Sequence, residues 1–158
     1  MWEFSGWAFF PVDLIGNGFF DSYPGNGLCV DLDGSSGNAG VRTSIPIALT
    51  PGSYVLKFDL GTISGFAADA MTVSLGTEYS EVFQEADAGQ PQTFNSISRA
   101  FQVNSPGSLS LVFDHQGGDD FGLVIDNVRL TLVPEPALFA LCLSGGSMAS
   151  LYFLRRRA

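Results

Sequence analysis

The sequence is short of charge, of cysteine and of histidine, and each shortage narrows what it can do. Charged residues make up 15% of its 158 positions. Disorder would combine high charge density with few aromatics, and this chain has 14 phenylalanines. Positive charge is scarcest, with 7 Lys and Arg against 16 Asp and Glu. Phosphate backbones are bound mainly through Lys and Arg, so nucleic acid is excluded as a partner. The two cysteines, Cys29 and Cys142, make neither a disulfide framework nor a zinc spacing. Cys29 reads as a small side chain within a strand. The single histidine, His115, has no nucleophile-elbow pattern to serve and reads as an exposed loop residue. Gly16-Asn17-Gly18 lacks the third glycine and the helix of a dinucleotide fingerprint. No long amphipathic helix and no solenoid repeat is present.

What is present is a β pattern. Leu28, Val30 and Leu32 alternate with Cys29, Asp31 and Asp33. Tyr54, Leu56, Phe58 and Leu60 alternate with Val55, Lys57 and Asp59; Met71, Val73 and Leu75 with Thr72 and Ser74; Leu109, Leu111 and Phe113 with Ser110 and Val112. Period-two alternation is the mark of half-buried strands. After Leu123 and Ile125 the phase slips to Val128, Leu130 and Leu132, which predicts a bulge at Asp126-Asn127. Turn-rich stretches such as Tyr23-Pro24-Gly25-Asn26-Gly27 and Asn104-Ser105-Pro106-Gly107 separate the runs. The length suits one domain. The expected fold is all-β: a two-sheet antiparallel sandwich over residues 1–132, of the jelly-roll kind, with about eight or nine short strands.

The C-terminus is built differently. Up to Val133 the chain holds four basic and fifteen acidic residues, whereas it closes on Arg155-Arg156-Arg157-Ala158. Residues 137–154 carry no charge. As a helix such a segment rises roughly 27 Å, close to the about 30 Å of a bilayer core. Pro136 suits the first helical position, and the arginines stay cytoplasmic by the positive-inside rule, leaving the domain outside. A single C-terminal transmembrane helix is therefore expected, and a plain tail anchor is one reading of it.

The order of parts in residues 133–158 resembles a PEP-CTERM sorting signal: the motif Val133-Pro134-Glu135-Pro136, the apolar span 137–154, and the basic tail with Arg155, Arg156 and Arg157. The resemblance implies an exosortase as partner, which cleaves near the motif. It also implies transit through the inner membrane and arrival at the cell surface or in an extracellular, exopolysaccharide-rich matrix. The folded domain is accordingly expected to end near Val133. Export needs an N-terminal signal, and Met1-Trp2-Glu3-Phe4 has neither a basic region nor an apolar run after it. A start at an internal methionine accounts for this and would remove the first strand or two as well. An unusual signal, or no export, is the alternative.

A second resemblance spans Val12 to Leu132. Val12-Asp13-Leu14-Ile15-Gly16, Val30-Asp31-Leu32-Asp33-Gly34-Ser35, Pro51-Gly52-Ser53-Tyr54 and Gly122-Leu123-Val124-Ile125-Asp126-Asn127-Val128 together are similar to galactose-binding-like jelly rolls, relatives of carbohydrate-binding modules. The implied function is non-catalytic binding of extracellular polysaccharide. A purely structural or adhesive surface protein and an extracellular hydrolase are the alternatives. Candidate ligand-binding aromatics are Trp7 and Tyr23 in the aromatic-rich front, and Phe121 beside an acidic loop; packing within the sandwich is their blander use. No cofactor is required. Asp114, Asp119, Asp120 and Asp126 could supply the hard oxygens of a structural Ca²⁺, and the resemblance points to Asp126; a solvated acidic loop is the alternative. Asp31 and Asp33, roughly 7 Å apart on the outward face of one strand, read as a polar face and turn cap rather than a catalytic pair.

Overall fold

The computed structural model describes residues 12–18, 20–35, 39–63, 69–118 and 120–134. Eleven strands occur among them: β1 (Asp13–Ile15), β2 (Cys29–Asp31), β3 (Val41–Thr43), β4 (Ile47–Leu49), β5 (Gly52–Thr62), β6 (Ala70–Leu75), β7 (Tyr79–Gln84), β8 (Asn95–Val103), β9 (Gly107–Leu109), β10 (Leu111–Gln116) and β11 (Leu123–Leu132). The helical content described is one 3-10 turn at Glu85–Asp87. A five-stranded sheet runs β1-β2-β11-β5-β8, a four-stranded sheet runs β3-β10-β6-β7, and β4 and β9 form a small ribbon. Every pairing is antiparallel. This is the all-β sandwich that the alternation predicts. There are more strands than expected, because short edge strands such as β3 and β4 carry too few residues for alternation to show. Among the described residues no helix is long and apolar enough to cross a membrane. The segment 137–154, Glu135, Pro136 and Arg155–Arg157 lie outside the described residues, as does Trp7.

The inward residues of both sheets make one core. Leu56, Phe58 and Leu60 of β5 meet Met71, Val73 and Leu75 of β6, with Phe83, Phe113 and Ile125 around them. Phe58 is the hub, with its ring edge-on to Phe83 at 5.3 Å and to Phe113 at 5.4 Å. Such T-shaped pairs contribute about 0.5–1.5 kcal/mol each beyond burial.

The two long edges of the sandwich close unequally. On one, β8 lies beside β7: Arg99 Nε donates to Glu81 Oε1 at 2.8 Å, its guanidinium covers Phe83 at 5.2 Å, and Phe101 stacks on Tyr79 at 5.0 Å. On the other, β1 and β3 leave an apolar groove of about 310 Å³, lined by Val12, Leu14, Leu28, Val30, Ile125 and Val128 with Arg42 at its side.

The five-stranded sheet is buried on both faces near β11. Leu123 and Ile125 face the main core, while Val124 joins Ile15, Cys29 and Tyr23 in a second apolar cluster on the outer face. The cover is the connection from β1 to β2. Its ends meet so closely that a Cβ on Gly16 would stand 2.0 Å from the Gly27 carbonyl oxygen, and Gly16 has φ +110°. Only glycine fits such an approach and such a dihedral. Tyr23 descends from this loop, donates its hydroxyl to the Thr62 carbonyl at 2.7 Å, and stacks on Phe94 at 4.2 Å. Burial pushes the Tyr23 hydroxyl well above the ordinary tyrosine range, and it pushes the Cys29 thiol up to about 11.

The predicted irregularity in the last strand is present. The β11–β5 register shifts between Asp126 and Arg129, and Asn127 takes a left-handed φ of 52°. The bulge is pinned by Asn127 Nδ2 donating to Asp59 Oδ2 at 2.9 Å.

Candidate ligand-binding site

Where β1 and β2 run out, the loops after β1, β2 and β10 gather around a cavity of about 280 Å³. Its floor is the outer face of the first two strands. Asp13 and Asp31 are direct cross-strand partners there, so both carboxyls stand on one face. Asp120, Phe20, Phe121 and Ile63 complete the wall. The size sits at the low end for small-ligand sites, roughly 300–1,000 Å³. It suits one or two sugar-sized units.

The rim is aromatic. Phe20 is 69% exposed and Phe121 43% exposed. Phe20 has φ 43° and Asp120, beside Phe121, has φ 69°, both left-handed and neither glycine. Such conformations cost on the order of 1 kcal/mol or more each and persist where the surroundings impose them, commonly at binding sites. For Phe20 the imposing element is the closed loop anchored by Tyr23, in which Ser22 N–H donates to the Phe20 carbonyl at 2.8 Å.

The floor is acidic and partly desolvated. Asp31 is 5% exposed; its Oδ1 accepts the Asp33 N–H at 3.0 Å, and its Oδ2 makes no hydrogen bond among the described residues. Burial pushes the Asp31 carboxyl up to about 7, with the hydrogen bond from Asp33 opposing and the charges of Asp13, Asp33 and Asp120 adding to the rise. Asp13 is better supplied, since its Oδ2 accepts both the N–H and the hydroxyl of Ser35. None of the described basic residues lines the cavity.

Beneath the site lies a buried polar base. Asp33, Asp69 and His115 converge under Gly117, where a Cβ would stand 2.5 Å from His115 Cε1, 2.9 Å from Asp69 Oδ1 and 3.0 Å from Asp33 Oδ2. Asp33 Oδ2 accepts the Gly118 N–H at 2.7 Å, and His115 Nε2 accepts the Leu123 N–H at 3.3 Å. These contacts tie the β10–β11 loop to both sheets and so hold Asp120 and Phe121 in place.

Several expectations from sequence are corrected here. Tyr23 is 2% exposed and packs the outer cluster, so its ring offers no face to a ligand. Asp33 is fully buried and Asp31 nearly so, because the loop after β1 covers the face that alternation assigned to solvent. His115 is an inward residue of β10 rather than an exposed loop residue. Among the four aspartates considered for calcium, Asp119 lies outside the described residues. Asp114, between buried Phe113 and His115, points outward from the four-stranded sheet. Asp126 points outward from the five-stranded one and accepts from Asn26 Nδ2 at 2.9 Å and from the Asn127 N–H at 2.7 Å. Packed sheets lie about 10 Å apart, so those two cannot share an ion. Among the described residues no group of three His, Cys, Asp or Glu side chains is placed to hold a metal. Phe121 does line the cavity, and Asp120 with it. Sequence reasoning missed Asp13 and missed Phe20 as the second rim ring. The phenylalanine-rich front held Phe20, but no local pattern set it apart from its neighbours.

A search of known structures places this geometry. The sandwich has the fold of carbohydrate-binding modules. It superposes on a family 16 carbohydrate-binding module with a TM-score of 0.56 at 12% identity, over 77% of this chain and 86% of that one. It superposes on the family 35 module from Paenibacillus barcinonensis with a TM-score of 0.50 at 21% identity, over 77% and 89%. Part of the mosquito-larvicidal Cry4Aa toxin from Bacillus thuringiensis also matches, with a TM-score of 0.50 at 10% identity, over 78% of this chain and 21% of the toxin. At these identities the likeness is one of fold alone. No family model matches the sequence, and no curated protein is similar to it in sequence.

Proposed function

We propose that the sandwich is a non-catalytic polysaccharide-binding module of an exported surface protein. The observation that carries the binding reading is the aromatic rim. Phe20 and Phe121, 69% and 43% exposed, both line a cavity floored by carboxylates. A pyranose ring has an apolar C–H face that packs on an aromatic ring and hydroxyls that donate to carboxylate oxygens, so the cavity offers both halves of what a sugar needs. The groove at the β1–β3 edge is slightly larger and carries polar side chains of its own, Asp13, Arg42, Asp126 and Asn127, but no described aromatic ring lines it, so the apolar face of a sugar has no ring to pack on there. The fold shared with carbohydrate-binding modules supports the same reading.

The non-catalytic part rests on the carboxylates. Glycoside hydrolysis needs one carboxyl that reaches the glycosidic oxygen and a second on the opposite side of the sugar. Asp13 and Asp31 are direct cross-strand partners side by side on one face of the floor, so they do not stand on opposite sides of a sugar. Export and sorting rest on the tail: Val133, whose N–H still donates to the Ser53 carbonyl at 2.8 Å, is followed by Pro134-Glu135-Pro136, the apolar span and three arginines. In this reading an exosortase cleaves near Pro134–Pro136, and the domain is released to the surface or matrix.

Affinity electrophoresis of the full chain through gels containing a panel of bacterial and plant polysaccharides tests the binding reading. Retardation by at least one glycan, lost in Phe121→Ala with no release of reducing ends, is the expected result. Migration unchanged by every glycan would refute it, and release of reducing ends would move the protein to the hydrolases. Intact mass of the protein from its host envelope tests sorting separately: a product ending near Val133–Pro136 supports it, and a mass retaining Arg155–Arg157 refutes it.

A further inference from the structure

The charge of the cavity says which glycans suit it, given the glycan-binding reading on which this step rests. Three carboxylates, Asp13, Asp31 and Asp120, line a space of about 280 Å³ that no described basic residue enters. The described positive side chains lie elsewhere. Arg99 pairs with Glu81 at the far edge, Lys57 and Arg129 are cross-strand partners farther along β5 and β11, and Arg42 borders the other groove. A uronate or a sulfated sugar would therefore meet unscreened like charge.

Asp31 adds an independent indication. It is more than nine-tenths buried, it lines the cavity, and only one of its oxygens is bonded within the protein. Its buried setting makes the charged form of Asp31 costly, and a ligand that brings a charged donor to the unbonded oxygen lowers that cost. The flanking rings of Phe20 and Phe121 favour a cation as well, since an aromatic face attracts one within about 6 Å. A metal ion is a poorer occupant, because no three-residue ligand group exists among the described residues.

We propose that this cavity selects glycans whose units carry protonated amines, that is, a glucosamine-type polymer, with Asp31 and Asp120 receiving the ammonium and Phe20 and Phe121 holding the ring. Binding of such a ligand favours the ionised form of Asp31. Neutral glucans keep the ring contacts and lose the charge pairs.

The test is isothermal titration of the full chain in mild detergent at pH 6. The probes are a glucosamine oligosaccharide, its fully N-acetylated counterpart of equal length, and a lysine-rich peptide of similar charge. The free-amine sugar is expected to bind at least ten-fold tighter than the acetylated one. That preference should fall to about two-fold or less in Asp31→Asn and in Asp120→Asn, the second being a rim residue whose loss leaves the core intact. Equal affinity for the two sugars would overturn the proposal and leave glycan binding standing. So would a peptide that binds as tightly as the free-amine sugar. Binding of neither sugar, together with no retardation by any polysaccharide, would remove the glycan-binding reading itself.

Discussion

Replacing Asp31 by asparagine should stabilise the protein at neutral to alkaline pH and do little in acid. The folded protein holds the Asp31 carboxyl at about 7 against an ordinary value of 3.8, chiefly through burial. The sign follows from proton linkage. Between those two values the folded state binds a proton that the unfolded state has released, so stability falls as pH rises through that window. Below about pH 4 Asp31 is protonated in both states and costs nothing. Above about pH 7 the full penalty is in force. Three units at about 1.36 kcal/mol each set it at about 4 kcal/mol. Asparagine has nearly the same shape, and its Oδ1 can still accept the Asp33 N–H. Asp31→Asn should therefore match the wild type near pH 4 and exceed it by roughly 2–4 kcal/mol at pH 8, about 10 °C in melting temperature for a domain of this size. Denaturant or thermal melts of the two proteins at pH 4.5, 6 and 8 measure it. Because every other acid is the same in both proteins, the difference between the curves carries the information. A difference that does not change with pH, or a variant less stable at pH 8, would refute the reasoning.

Two further outcomes probe the loop that carries the rim. Tyr23→Phe removes the hydroxyl that donates to the Thr62 carbonyl at 2.7 Å and keeps the stack on Phe94; a loss of about 1 kcal/mol in urea unfolding is expected, and no loss would show the bond to be idle. Gly16→Ala puts a Cβ 2.0 Å from the Gly27 carbonyl oxygen at a φ of +110°, so the loop must open; amide exchange should quicken at Asn26–Cys29 and glycan binding should fall, whereas unchanged exchange there would contradict the described closure.

Much of the sandwich is legible in the alternation of β5, β6 and β10, where Leu56, Phe58, Leu60, Met71, Val73, Leu75, Leu111 and Phe113 all face the core as their spacing requires. The phase slip after Ile125 likewise marked the bulge at Asn127. The site was far less legible, for a physical reason. Alternation tells which residues share a face but not whether a loop covers that face. The connection between β1 and β2 covers the outer side of β2 and β11, and so turns Cys29, Asp31 and Val124 from surface into interior. The cavity itself is assembled from positions as distant as Asp13, Phe20, Asp31 and Asp120, joined by the cross-strand register of β1 with β2 and by the buried contacts of Asp33 and His115 beneath the last loop. Phe121 was legible because it adjoins a conspicuous acidic run; its counterpart Phe20 stood among many other aromatics and had nothing local to distinguish it.

The central claim is that Phe20 and Phe121 frame a glycan site, and the most direct measurement is a titration of the best-retained polysaccharide into wild type, Phe20→Ala and Phe121→Ala. Both variants alter exposed rings and should melt within about 1 °C of wild type, as surface substitutions commonly do. The account predicts that each loses at least ten-fold in affinity, as removal of about 1.4 kcal/mol or more of stacking requires. Undiminished affinity in both variants, with the fold intact, would contradict it.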